Sequence, residues 1–166
     1  LNVLDGWVYF WNDEGDGTIS LYKMRTSGAA KTKLADQNNK YSWYVPETRV
    51  VSNWIFYSEI YFANIGGVED FALARIVRMD MDGTQKKIVA ENLYPYVDQY
   101  VYFDIVEGEL YYSHVDIELL ENRITSGTDT NSENLLLISK CETDGNAQVI
   151  LYGNAHAFNF VIDDGW

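Results

Sequence analysis

Along the chain, short runs of aromatic and β-branched residues are separated by polar, glycine-bearing breaks, and the same two-part phrase is written three times. Its first copy reads Gly6-Trp7-Val8-Tyr9-Phe10-Trp11-Asn12, then a polar loop, then Leu21-Tyr22-Lys23-Met24-Arg25-Thr26-Ser27-Gly28. The second pairs Asn53-Trp54-Ile55-Phe56-Tyr57-Ser58 with Ile76-Val77-Arg78-Met79-Asp80-Met81-Asp82-Gly83. The third pairs Gly108-Glu109-Leu110-Tyr111-Tyr112-Ser113 with Ile138-Ser139-Lys140-Cys141-Glu142-Thr143-Asp144-Gly145. Short β-type runs bounded by Gly, Asp and Asn are strand signals. The turn spacing predicts four antiparallel strands per unit.

In the first unit these strands fall at 1–4, 7–12, 19–26 and 31–35, joined by Asp5-Gly6, the loop 13–17 and Ser27-Gly28. Asp-Gly between two β-type runs predicts a tight hairpin, because the turn needs positive φ and glycine reaches it without strain. Trp7, Tyr9 and Trp11 share one face and Val8 and Phe10 the other; with no polar face, this strand is expected to be covered on both sides. Lys23, Arg25, Lys31 and Lys33 put charge on the outer strands, where lysine blunts an exposed edge.

The second unit places strands at 41–51, 54–58, up to 80, and 86–90. Asn53 takes the place of Gly6 as a residue tolerant of the left-handed turn. Pro46 lacks an amide donor and marks a bend or irregular edge, and a long loop is expected over 59–73. The third unit has strands at 100–106, 110–113, 135–142 and 149–152, with a longer loop over 114–134. A further unit is expected to start at 158–162 and run to Asp164-Gly165-Trp166. The units are therefore 1–36, 41–91 and 98–152, with the start of the next at 158–166; the scaffold is constant and the loops vary.

Composition agrees with an all-β chain: 13 Tyr, 7 Phe and 5 Trp stand against 2 Pro in 166 residues. The net charge of -13 repels phosphate backbones and removes nucleic acid from the partner classes. The acidity reads first as a solvated surface and second as an attraction for cations or basic partners. No apolar run reaches the ~20 residues of a membrane-spanning helix. The single Cys141 rules out an internal disulfide and aligns with Met24 and Met79, as a buried apolar side chain would. The chain begins at Leu1, with neither an initiator Met nor a signal peptide, and is expected to be a processed protein or an excerpt of a longer one.

Units of four antiparallel strands, each with an apolar face it cannot bury alone, fit the blades of a β-propeller. The aromatic second strand after a turn (Trp7-Val8-Tyr9-Phe10, Trp54-Ile55-Phe56-Tyr57) and the third-strand ending Arg78-Met79-Asp80-Met81-Asp82-Gly83 resemble the blades of low-density-lipoprotein-receptor-like (YWTD-type) β-propellers of bacterial secreted and surface proteins. The Tyr-Trp-Thr-Asp tetrapeptide itself is absent. The resemblance implies about six blades, an extracellular or cell-surface location and a recognition role. Three blades and the first strand of a fourth leave three expectations: an excerpt of a longer propeller, two copies pairing into a six-bladed ring, or an open stack. The first is preferred.

In a propeller the second-to-third-strand loops and the links between blades share one face, where recognition concentrates. That reasoning selects Tyr61, Phe62, Phe71, Tyr94 and Tyr96 as aromatic contacts, with His114, Asp116 and His156 beside them, for a protein or glycan ligand. The bland alternative is that the aromatics cap the core beneath the loops. Asn12, Glu14 and Asp16 alternate as calcium ligands do, but Lys23 stands where the full motif needs its last acid, so EF-hand geometry is excluded; no cofactor is otherwise expected. No Ser/His/Asp order, phosphate loop or metal signature appears. The expectation is a non-catalytic binding or structural module acting through its loops or its blade edges, with further blades of the same chain or a second copy as partners. The alternative is a glycan hydrolase or lyase using channel carboxylates.

Overall fold

A computed structural model describes residues 1–38, 46–93, 101–128 and 136–155. The first sheet comprises β1 (Asn2–Leu4), β2 (Trp7–Asp13), β3 (Thr18–Arg25) and β4 (Thr32–Asn38). The second comprises β5 (Thr48–Val51), β6 (Trp54–Ile65), β7 (Val68–Asp80) and β8 (Lys87–Leu93). The third comprises β9 (Phe103–Val106), β10 (Glu109–Val115), β11 (Leu136–Glu142) and β12 (Val149–Ala155), with α1 (Ile117–Ser126) inserted between β10 and β11. Each sheet is an antiparallel meander in chain order. Four-stranded antiparallel sheets are thus present as expected. Among the described residues no sheet closes into a barrel or a propeller ring, and 158–166 lies outside them.

Local chemistry accounts for the turns. Asp5 (φ 49°) and Gly6 (φ 75°) link Leu4 to Trp7, and Glu107 (φ 51°) and Gly108 (φ 83°) link Val106 to Glu109. In the second sheet the positive φ falls on Ser52 (55°), one residue before the Asn53 chosen by alignment. The turns from third to fourth strand are alike in all three sheets. Gly28, Gly83 and Gly145 have φ of 86°, 87° and 86°, and donate to the carbonyls of Arg25, Asp80 and Glu142. A φ this far positive strains any side chain, so glycine is the fitting residue.

Two expected loops are not loops. Residues 59–73 continue as the long β6–β7 hairpin, whose ladder runs to Ile65↔Val68 around Gly66-Gly67. The stretch from Ile117 to Ser126 is helical: the Asp116 carboxylate accepts from the Leu119 amide at 3.0 Å, and Gly127 (φ 67°) ends it. The inner strands are also shorter than expected, starting at Thr48 and Phe103; Pro46 stands outside the ladder.

The sheets stack face to face. Tyr9, Leu21, Leu34 and Ala35 of the first pack on Ile55, Tyr57, Val77 and Met79 of the second. The opposite face of the second sheet, with Phe56, Ile76, Val89 and Ala90, packs on Leu110, Tyr112 and Cys141 of the third. The middle sheet is therefore covered on both faces. Among the described residues one face of β2 meets another sheet, and Phe10 on the other face stacks on Tyr22 at 5.9 Å.

Candidate functional site

Of the sequence-selected residues, the structure describes Tyr61, Phe62, Phe71, His114 and Asp116. Tyr61 and Phe71 pack with Ile65, Leu73 and the helix residues Leu120 and Ile124, so these aromatics cap a core as the bland alternative held. The Tyr61 hydroxyl donates to Asn92 Oδ1 at 2.8 Å. Gly66, at the hairpin tip, lies so near α1 that a Cβ there would stand 2.9 Å from Ile124 Cγ2. Phe62 is 37% exposed. His114 is buried, with Nε2 2.9 Å from Ser139 Oγ, and burial holds its pKa below the ordinary imidazole value. Asp116 caps the helix. Tyr94, Tyr96 and His156 lie outside the described residues.

The 12–17 loop uses its polar groups internally. Glu14 accepts from the Tyr22 hydroxyl at 2.9 Å, a bond that draws its pKa down, and Lys33 stands 4.0 Å away. Asp16 accepts from the Thr18 amide, and Asn12 donates to the Asp13 carbonyl. Among the described residues no group of three or more His, Cys, Asp or Glu could hold a metal ion. Cys141 is buried, and desolvation pushes its thiol up to about 11, which makes it an inert packing group.

A cavity of about 450 Å³ opens beside the inner strands, lined by Tyr9, Trp11, Glu47, Thr48 and Arg49 among others. Trp11 Nε1 donates to Thr48 Oγ1 at 2.8 Å, and Arg49 pairs with Glu47 and, at 3.3 Å, with Asp104. One guanidinium thus holds both carboxylates, a tie between sheets rather than an acid beside a free base.

The most regular arrangement is the joint between sheets, which is made twice from corresponding positions. Each fourth strand pairs with its third through a β-bulge, whose extra residue is Leu34, Val89 or Leu151. Against the first two bulges sits the glycine turn of the next sheet. A Cβ on Gly83 would lie 3.0 Å from the Leu34 carbonyl oxygen, and one on Gly145 would lie 2.9 Å from that of Val89. A cation closes each joint: Lys23 Nζ donates to the Met81 carbonyl at 2.5 Å, and Arg78 Nη1 to that of Thr143 at 3.2 Å. Tyr9 and Phe56 stand at the same place in the two cores. Gly28 has the same turn, but nothing lies within 4 Å of its Cβ position.

Among the described residues no glycine turn covers the third bulge. Leu151 is 49% and Tyr152 60% exposed, whereas Leu34, Ala35, Val89 and Ala90, at the corresponding places, are 4–7% exposed. Val149 and Ile150 extend the exposed apolar strip. Lys140, which corresponds to Lys23 and Arg78, bonds Glu109 within its own sheet at 2.7 Å, drawing that carboxyl's pKa down. Alternation in the sequence pointed to faces covered by other sheets; the bulge and the glycine seat are backbone features that only the ladder register shows.

No protein-family model matches the chain, and no curated protein matches it either.

Proposed function

We propose that this protein is a non-catalytic structural and binding module of an extracellular or cell-surface protein, built as part of a β-propeller of the low-density-lipoprotein-receptor-like type. Its three sheets act as blades, and it works by docking its open sheet faces onto a protein surface of the same kind. The observation that carries this reading is the exposed strip Val149 to Tyr152, since apolar surface of that extent on a regular strand marks an interface. Capture of a glycan by loop aromatics is less favoured, because Tyr61 and Phe71 are engaged in packing α1. The hydrolase or lyase reading is less favoured, because Glu47, the carboxylate that lines the inner-strand cavity, is paired with Arg49. No helix among the described residues is long and apolar enough to cross a membrane.

Hydroxyl-radical footprinting of the native protein tests the proposal. Relative to its own rate in the urea-unfolded protein, Tyr152 is expected to be oxidised far more slowly than its 60% exposure in the isolated chain allows. Oxidation of Tyr152 at the rate of the unfolded protein would overturn it.

A further inference from the structure

We infer that the occupant of the open third-sheet face is the first sheet of a second copy of this chain, docked head to tail. This rests on the assembly reading above and names its partner. Both halves of one joint are present on a single chain. One half is a bulge on the fourth strand with a cation beside it, and the other is a glycine turn preceded by a carbonyl.

The first and second sheets meet through Leu34 and Gly83, with Lys23 on the Met81 carbonyl. The second and third meet through Val89 and Gly145, with Arg78 on the Thr143 carbonyl. The unfilled bulge is at Leu151 and the unseated turn at Gly28. In register, Thr26 corresponds to Met81 and Thr143, and Lys140 to Lys23 and Arg78. Docking the Gly28 turn of one copy on the Leu151 bulge of another therefore lets Lys140 leave Glu109 for the Thr26 carbonyl.

The apolar faces correspond as well. Val8, Phe10 and Met24 stand where Ile55, Tyr57 and Met79 meet the first sheet, and where Leu110, Tyr112 and Cys141 meet the second. The other half offers Tyr111 and Leu151 at the places of Tyr9 and Leu34, beside Ile138, which holds the place of Leu21 and is partly buried against the α1 cluster. Tyr152 brings a ring where Ala35 and Ala90 bring a methyl, adding aromatic surface opposite Phe10 and Tyr22. The contact is heterologous: the two copies present different surfaces, and closure comes only if the rotation completes a ring.

Sedimentation of the whole chain, alone and in mixtures, tests this. The wild-type protein is expected to associate into multiples of 19.1 kDa with rising concentration. Leu151→Asp and Met24→Asp, each retaining the parent's β-sheet circular dichroism, are expected to weaken association at least tenfold on their own. Mixing the two restores a 1:1 complex, because one carries an intact first sheet and the other an intact third sheet. Tyr152→Asp with Val8→Asp is a second pair should either variant fail to fold. A wild-type chain that stays monomeric, a Met24→Asp chain that associates like the wild type, or a mixture of folded variants that does not recover each overturns the inference. A monomer whose Tyr152 is nevertheless protected from radicals overturns the second copy alone; a monomer with Tyr152 unprotected removes the assembly reading with it.

Discussion

Replacing Gly145 with alanine, and separately Gly28 with alanine, isolates the energy of a sheet-to-sheet seat. Both glycines have φ of 86° and the same turn hydrogen bonding, so the backbone strain of adding a Cβ is common to both, about 1–2 kcal/mol. Only Gly145 has a neighbour. Its new methyl would stand 2.9 Å from the Val89 carbonyl oxygen and 3.0 Å from Val89 Cα, and both are backbone atoms that cannot swing aside. Overpacking of this sort costs about 1–3 kcal/mol. Gly145→Ala is therefore expected to lose about 2–5 kcal/mol, against about 1–2 for Gly28→Ala. Gly83→Ala should fall with Gly145→Ala, since its methyl would meet the Leu34 backbone at 3.0 Å. Urea unfolding followed by circular dichroism, at protein concentrations low enough to avoid association, reads the difference. With a slope of about 2 kcal/mol/M, the two midpoints should separate by about 0.5–1.5 M. Equal midpoints for Gly28→Ala and Gly145→Ala would show that the glycine seat contributes nothing and that the joint is side-chain packing alone.

Acid and alkali should act through different groups. Burial holds the His114 pKa below 6.5, so the unfolded chain takes up the proton first; stability is complete above about pH 6.5 and falls as the pH drops below it. His114→Gln should flatten the change in melting temperature between pH 7.5 and 5, and an unchanged slope would count against this. Burial raises Cys141 from 9.0 to about 11 and Tyr112 from 10.0 to about 12, so the folded state favours their protonated forms. Their contribution is full below pH 9 and is lost as pH rises from there toward 12, measurable as alkaline unfolding. Cys141 should resist a thiol-specific chromogenic reagent at pH 8 until urea unfolds the chain; rapid native labelling would contradict its burial. Asp116→Ala removes the helix cap and should cost about 1 kcal/mol in urea unfolding, with Asp116→Asn close to the parent.

Much of the scaffold was legible because its signals are local. The Asp5-Gly6 and Glu107-Gly108 pairs fall between β-type runs, and the structure gives both residues of each pair positive φ. Cys141 could be placed in the core from its alignment with Met24 and Met79 alone. The long β6–β7 hairpin was missed, although Gly66-Gly67 between Ile65 and Val68 is the same kind of two-residue turn signal; the polar Glu69 and Asp70 masked it as a loop. The helix also had its signals, Asp116 and Gly127 bracketing Ile117, Leu120 and Ile124 at helical spacing, obscured by the polar residues around them. Tyr61 and Phe71 then changed role, because a hairpin that keeps its ladder carries them under α1 instead of into a solvent loop. The joints were illegible for a different reason. A bulge is a register event, and a glycine's bare Cα is a contact surface only once a neighbour is in place.

Because the glycine seat is backbone against backbone, the two joints are read mainly by shape. At each seat a missing side chain meets a backbone carbonyl, so the contact constrains the turn glycine more than the side chains around it. Lys23 and Arg78 serve the same carbonyl position with different chemistry, and the cores behind them differ in size from Met79 to Cys141. A unit that stacks this way must bring a turn glycine, a bulge and an apolar face of matching size together.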